Sequence, residues 1–314
     1  MSLENLIEVR KNHSFNIKSL EAWFQNNIEN FGPFISIKQF VGGQSNPTFF
    51  ITSEEGNQLI LRKKPPGNLL PSAHAIEREY KVQKALKQTN VPCPEMIALC
   101  EDVNIIGTPF YIMSYIEGKV YESILEVELI KDRKDIYLLM VKMLAELHNV
   151  NYEKLNLADF GKPNNYAQRQ ISRWEKQWNL SKQRDIPEMN SIIEWLNKHL
   201  PEKCDSSIVH GDFRLGNLIF NKDSKTINAV LDWELSTIGD PLADFGYMLY
   251  PYYIAFGERH GIKGCNFFNE NIPQINEVLE TYCAVRKINI FNPKFYVVLA
   301  MFRTIAILEG VYSR

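Results

Sequence analysis

Ser207-Ile-Val-His-Gly-Asp-Phe-Arg-Leu-Gly-Asn-Leu-Ile-Phe220 places four side chains able to do chemistry, His210, Asp212, Arg214 and Asn217, between two short apolar runs, Ile208–Val209 and Leu218–Phe220. A loop anchored by buried strands lets polar side chains converge while the strands hold their positions. After a turn at Asn221–Lys225, a third apolar run, Ile227–Leu231, delivers Asp232. Read as two hairpin arms, the segment is expected to bring Asp212, Asn217 and Asp232 together. Oxygen donors of this type suit Mg²⁺, which keeps several waters and is commonly shared with phosphates. Asp and Asn also favour turns for purely structural reasons, so the reading rests on the three together.

Upstream of this segment the pattern is β-rich. An opening helix over 16–30 is followed by strand-like stretches at Ser36–Val41, Thr48–Thr52 and Gln58–Arg62, the first two joined by Gly42-Gly43-Gln44-Ser45-Asn46-Pro47. Gly, Ser and Asn there mark a tight turn in antiparallel structure. A helix is expected from Ser72, as N-cap, to Thr89. On it Glu79 shares the stripe of Ile76, Val82 and Leu86, while Glu77 faces outward toward Lys81. A carboxylate on an apolar stripe is costly to bury without a partner, which singles out Glu79. Phe110–Tyr115 reads as a further strand, ended by Glu117-Gly118. From there the pattern turns helical, over 136–150, 165–180, 189–200 and most of the last 75 residues. The expected organisation is an N-terminal lobe at 1–114, a hinge at 115–118 and a larger lobe at 119–314.

Composition excludes several classes of function. Of 314 residues, 45% are hydrophobic and 23% charged, values that argue against wholesale disorder. Lys plus Arg is 35 and Asp plus Glu is 37, so the net charge of −2 offers no bulk attraction to nucleic acid or an anionic membrane. Five scattered cysteines without a C-x-x-C pair form neither a disulfide framework nor a zinc site. Neither a signal peptide nor an apolar run of membrane-spanning length stands out, the longest being Phe295–Phe302. A cytoplasmic protein is the expectation, with neither nucleic acid nor membrane as partner; nothing bears on its oligomeric state.

The motif His210-Gly-Asp-x-x-x-x-Asn217, followed by Leu231-Asp-Trp-Glu and Gly239-Asp-Pro-x-x-Asp244, resembles the aminoglycoside phosphotransferase-like branch of the protein-kinase-like fold. More narrowly, it resembles the phosphotransferase domain fused to some acyl-CoA dehydrogenases. The resemblance covers nearly the whole chain, including Val41-Gly-Gly-Gln-Ser-Asn-Pro-Thr, Leu61-Arg-Lys-Lys-Pro-Pro-Gly and Ile76-Glu-Arg-Glu-Tyr. It implies an α+β, two-lobe fold, with a small antiparallel sheet and a larger helical lobe, and an ATP- and Mg²⁺-dependent phosphotransferase. Asp212 would be the catalytic base, and Asn217 and Asp232 would hold Mg²⁺. Gly42, Gly43 and Ser45 would approach the phosphates through backbone N–H groups, which glycine permits by lacking a Cβ. The backbone of Ser114 and Ile116, in a hinge at Met113–Ile116, would read adenine. Glu79 would pair with a cation on the third strand, and here the sequence departs from the kinase pattern: Arg62 stands where Lys is usual. Strand alternation sends Arg62 and Lys63 to opposite faces, and Arg62 is expected to point inward. Asp240 before Pro241 reads as a helix N-cap, His210 as an orienting residue and His148 as a satisfied packing residue.

The acceptor is read from the helical half. Helical spacing puts Tyr166, Arg169, Gln170 and Arg173 on one face, and Ile171, Trp174 and Trp178 on another. With Arg214, the arginines suggest a small-molecule alcohol that carries an anionic group, such as a hydroxy acid or hydroxyacyl-CoA. A polycationic aminoglycoside would call for acid residues. A nucleotide-binding pseudokinase, a true aminoglycoside phosphotransferase and a protein kinase are the alternatives.

Overall fold

The computed structural model describes residues 5–41, 46–67, 75–202 and 205–313. The chain divides into two compact units, Met1–Val120 with Leu218–Glu234, and Tyr121–Asn217 with Leu235–Arg314.

The first unit is built on an antiparallel sheet. Its elements are β1 (Leu6–Ile7), α1 (Ile17–Asn27), β2 (Phe34–Phe40), β3 (Thr48–Ser53), β4 (Gln58–Lys63), α2 (Ile76–Leu86), β5 (Met96–Cys100), α3 (Val103–Ile106) and β6 (Phe110–Ser114), with strand order β1-β2-β3-β4-β6-β5. Asn16 caps α1 by accepting from the Ser19 N–H at 3.1 Å. The period-2 alternation of the strands sorts their side chains cleanly. Phe49, Ile51, Leu61, Phe110 and Ile112 join Leu20 and Phe24 of α1 in one core. Phe50, Ile60, Tyr111 and Met113 join Ile76 of α2 in the other. Each such burial is worth roughly 1.5–3 kcal/mol. Sequence periodicity missed β1 and β5, and it drew α2 several residues too long. Ser72, its expected cap, lies outside the described residues. Glu77 meets Lys64 at 3.0 Å.

In the second unit come α4 (Arg133–Asn149), α5 (Tyr166–Ser181), α6 (Pro187–Lys198) and β7 (Ser207–Val209). The chain then gives β8 (Leu218–Phe220) and β9 (Ile227–Val230) to the first unit and returns with β10 (Thr237–Gly239), α7 (Pro241–Met248), α8 (Ile275–Arg286) and α9 (Lys294–Tyr312). Two expectations are corrected here. First, β7 pairs with β10, and β8 with β9, so the motif is one hairpin inserted between the strands of another pair. Second, a single cut at 115–118 does not divide the chain. A two-strand hairpin is too small to stand alone, and β8–β9 leans on the first unit. Lys119 and Phe220 exchange two 2.8 Å backbone bonds, and the Val230 N–H donates to the Pro92 carbonyl at 2.8 Å.

By length and mean hydropathy (1.6), α9 is the one helix among the described residues apolar enough to cross a membrane. It is longer than the apolar run Phe295–Phe302 suggested, and it packs on α5, α6 and α7 as a core helix. Gly246 permits the close approach of α7 to α9: a Cβ there would lie 2.5 Å from the Tyr296 carbonyl carbon.

Candidate active site

The loop leaving β7 is held from beneath. Buried Asp244 accepts the His210 N–H at 2.5 Å and the Gly211 N–H at 2.9 Å. Gly211 has φ +86, and a Cβ on it would sit 2.8 Å from the Leu235 carbonyl oxygen, so only glycine fits. His210 Nδ1 accepts the Asp212 N–H at 3.2 Å, the orienting part expected of it. Asn217 Nδ2 donates to the Asp212 carbonyl at 2.8 Å and to its carboxylate at 3.0 Å. Arg214 lies 3.6 Å from the same carboxylate and 2.6 Å from Glu122. Burial and the nearby Asp212 carboxylate together raise the pKa of the Tyr247 hydroxyl. Asp212, its side chain 24% exposed, is therefore oriented from several sides and still open to a ligand.

Sequence reasoning missed what lies below the loop. His148 Nδ1 is 2.7 Å from the Tyr282 hydroxyl, and its Nε2 is 3.5 Å from Asp244. Tyr282 donating to Nδ1 assigns the neutral Nε2–H tautomer, which donates to Asp244. Burial lowers the pKa of His148. Burial alone would raise that of Asp244, but the His148 bond, His210 and the Gly211 amide outweigh it and hold it low. The unfolded chain thus binds protons that the folded one rejects, first at His148 and then at Asp244. The contribution of this pair is complete above a pH of about 6.5 and falls as pH drops below it. Urea unfolding of the native chain should show a midpoint that declines between neutral and mildly acid pH. His148→Gln should flatten that decline; an unchanged slope would remove His148 from the account.

In the first unit, Arg62 does point inward. Its Nε lies 2.9 Å from Glu79 Oε2 and its Nη2 2.6 Å from Asp232 Oδ1, with Glu234 at 4.0 Å. Burial opposes the Arg62 charge, but Glu79 and the neighbouring acids outweigh it and hold its pKa above the ordinary value. Burial also lifts Glu79 above the usual carboxylate range, against the pull of Arg62. Glu79 further accepts from Asn46 Nδ2 at 2.6 Å and from the Tyr111 hydroxyl at 3.0 Å, partners the sequence did not disclose. Lys63 turns to the opposite face, 5.9 Å from the Phe15 ring. Asp232 occupies a left-handed turn at φ +63. Ser114 and Ile116 line an apolar slot with Ile60, Met113, Ile219 and Leu231. Gly42, Gly43 and Ser45 lie outside the described residues. Asp212 and Asn217 belong to one unit and Asp232 to the other.

The acceptor-face expectation needs correcting. Arg169 donates to the Lys162 carbonyl and lies over the Tyr166 ring, and exposed Arg173 lies over Trp174. Tyr166 is buried against Gly239, where a Cβ would come within 2.4 Å of its ring. A small recess of about 20 Å³ is lined by Tyr166, Gln170, Trp174, Tyr247, Ala300 and Arg303, without Arg169 or Arg173. Trp174 packs against the core beside Ile171 and Trp178 and also borders this recess. Arg214 lines a separate pocket of about 130 Å³ with Tyr137, Met140, Tyr250, Arg259 and His260. Asp240 caps α7, accepting from the Leu242 N–H at 3.0 Å and the Tyr296 hydroxyl at 2.8 Å, as its place before Pro241 foretold.

A profile described as "Phosphotransferase enzyme family" (APH) matches residues 36–268. The chain belongs to the phosphotransferase enzyme family. Among relatives of this phosphotransferase, acyl-CoA dehydrogenase family member 11 of Homo sapiens is 40% identical over 99% of the chain and 41% of its own length. Acyl-CoA dehydrogenase family member 10 of Mus musculus is 42% identical over 100% of the chain and 30% of its own length. The chain thus spans well under half of these relatives. A crystal structure from Ralstonia eutropha, provisionally named an aminoglycoside phosphotransferase, superposes with TM-score 0.86 at 41% identity, covering 96% of this chain and 90% of that one. The GDP complex of aminoglycoside 2'-phosphotransferase-IIIa, at 14% identity and TM-score 0.66, covers 95% of this chain and 93% of that one and shares the fold. The phosphotransferase is therefore a member of the kinase-like, two-lobe class, with a small antiparallel sheet and a larger set of helices, and a small-molecule kinase type of activity follows from the family.

Proposed function

We propose that this phosphotransferase moves the terminal phosphoryl group of ATP to the hydroxyl of a small molecule carrying an anionic group. The observation that carries the reading is the Asp212 carboxylate, bonded by Asn217 and seated on a loop whose backbone is tied to buried Asp244. Phosphoryl transfer asks mainly for positioning and charge neutralisation, and one aligned carboxylate suffices to accept the hydroxyl proton. The slot at Ser114 and Ile116 suits a flat base, and solved relatives of the same fold bind GDP, or ADP with streptomycin. Arg62 supplies a permanent, bidentate-capable charge toward phosphates.

Asn217 and Asp232 would hold Mg²⁺. With its amide nitrogen committed to Asp212, Asn217 presents its carbonyl oxygen; Asp232, one oxygen on Arg62, keeps the other. A hard oxygen of this kind, on either residue, suits a cation held mostly by phosphate and water, which when bound neutralises phosphate charge. Among the described residues no cluster of three His, Cys, Asp or Glu forms an all-protein metal cage.

The pocket around Arg214 supports the acceptor class. Its walls are aromatic and apolar, and its single acid, Glu122, is paired with Arg214, which leaves Arg259 and His260 in excess. A polycation would find little to bind there. A hydroxy acid or hydroxyacyl-CoA would, in keeping with relatives named as acyl-CoA dehydrogenase family members. Incubation with MgATP and a library of hydroxy acids, their CoA esters and aminoglycosides, read by product mass, is expected to yield phosphorylated hydroxy acids or esters. Turnover of aminoglycosides alone would overturn the acceptor class. ATP binding without any transfer would make the chain a nucleotide-binding module.

A further inference from the structure

Arg303 is the only charged residue between Lys294 and Glu309, in the middle of an apolar helix. Its guanidinium is held by rings, 5.6 Å from the Trp174 centroid and 5.3 Å from that of Tyr247. No carboxylate pairs with it among the described residues, and its Nε is buried without a hydrogen-bond partner. The two buried acids on this side are committed elsewhere, Asp240 to Leu242 and Tyr296, and Asp244 to His210 and Gly211. A half-buried cation with no anion costs free energy unless a ligand supplies one. A small recess bordered by Ala243 and Ala300, above Tyr166 and Gln170, opens beside the guanidinium. Tyr247 stands between this recess and the reactive carboxylate: its ring lies against Arg303 and its hydroxyl feels the charge of Asp212.

We propose that Arg303, with Gln170 and Tyr166 beside it, is the residue that reads the anionic group of the acceptor, a carboxylate or an equivalent oxyanion. The proposal rests on the phosphotransferase reading and assigns its selectivity to a single side chain. Cation–π contacts fix the guanidinium plane while leaving its N–H edges free to donate, the geometry a carboxylate accepts in pairs. The pocket around Arg214 would take the apolar part of the same molecule.

The test compares short hydroxy carboxylates with diols matched in chain length, using the native chain, Arg303→Gln, Arg303→Lys and Ala300→Leu. With MgATP, the native chain should favour the acids in kcat/KM, and Arg303→Gln should cut that preference on the order of 10–10²-fold, the loss of a charged hydrogen bond. Arg303→Lys should recover part of it. Ala300→Leu, which fills the recess and leaves the charge alone, should also penalise acids more than diols. An unchanged acid-to-diol ratio in Arg303→Gln, or no preference in the native chain, overturns the proposal. Calorimetric titration of the same acids without nucleotide separates the two readings. If no hydroxyl is phosphorylated, the proposed function fails, yet acids binding the native chain and not Arg303→Gln would uphold the site. Equal or absent binding would remove it.

Discussion

Replacing Asp212 by Asn is expected to slow phosphoryl transfer by about 10²–10⁴-fold, the usual cost of losing a general base. The substitution is nearly isosteric, and the loop does not depend on the carboxylate. Asn217 still donates to the residue 212 carbonyl, and His210 and Gly211 remain tied to Asp244. The loss should therefore fall on kcat. Nucleotide-dependent thermal stabilisation and circular dichroism should match the native chain, because the apolar slot and Arg62 belong to the other unit. A native transfer rate in the variant would take the role away from Asp212. A variant that unfolds or loses nucleotide binding would show a structural part instead.

Arg62→Met should produce the largest change in stability. It leaves Glu79, only 1% exposed, without the charge that balances it. Removing one partner of a buried pair costs about 3–5 kcal/mol, because the stranded charge must be desolvated or neutralised. The Tyr111 and Asn46 donors remain, so Glu79 can escape by binding a proton. Its folded pKa, already lifted by burial, would rise further once Arg62 no longer opposes it. The sign follows: a carboxyl whose folded pKa exceeds its unfolded value stabilises the fold at low pH and loses that contribution as pH rises. The variant should thus be most impaired at neutral and alkaline pH and partly relieved in acid. Arg62→Met with Glu79→Gln should regain most of the loss, since two neutral groups replace a stranded charge. Urea midpoints across pH measure all three proteins, and equal deficits in the single and double variants would refute the account. Nucleotide affinity should drop in both, because the phosphate-facing charge is gone.

The Arg62–Glu79 pair was legible because each half follows from a local rule. Alternation in β4 separates Arg62 from Lys63, and the 3.6-residue stripe of α2 places Glu79 beside Ile76 and Val82. The His210–Asn217 loop was legible because its polar residues sit within one short stretch between apolar runs. Asp240 could be read as a cap for the same reason. The bonds from Asp244 to the loop were not legible, nor was His148 beneath it: the partners are 33 to 96 residues apart, and nothing in spacing chooses one acid over another. The pairing of β7 with β10 escaped for a like reason, since short apolar runs state that they are buried and leave their neighbour open. A signal for Arg303 did exist, in one charge within an otherwise apolar helix. Its meaning waited on Trp174 and Tyr247, which arrive from two other helices.

Residue order alone settles which side of each strand and helix faces inward, where helices begin, and that an Asp, an Asn and a further Asp follow in kinase-like succession. It can do so because periodicity and capping involve only a few neighbouring residues. Three-dimensional packing settles which buried acid receives which donor, which strands pair, and which arginine is left without an anion. Those outcomes depend on groups far apart in the chain competing for the same space, and the winner emerges only when the whole core closes.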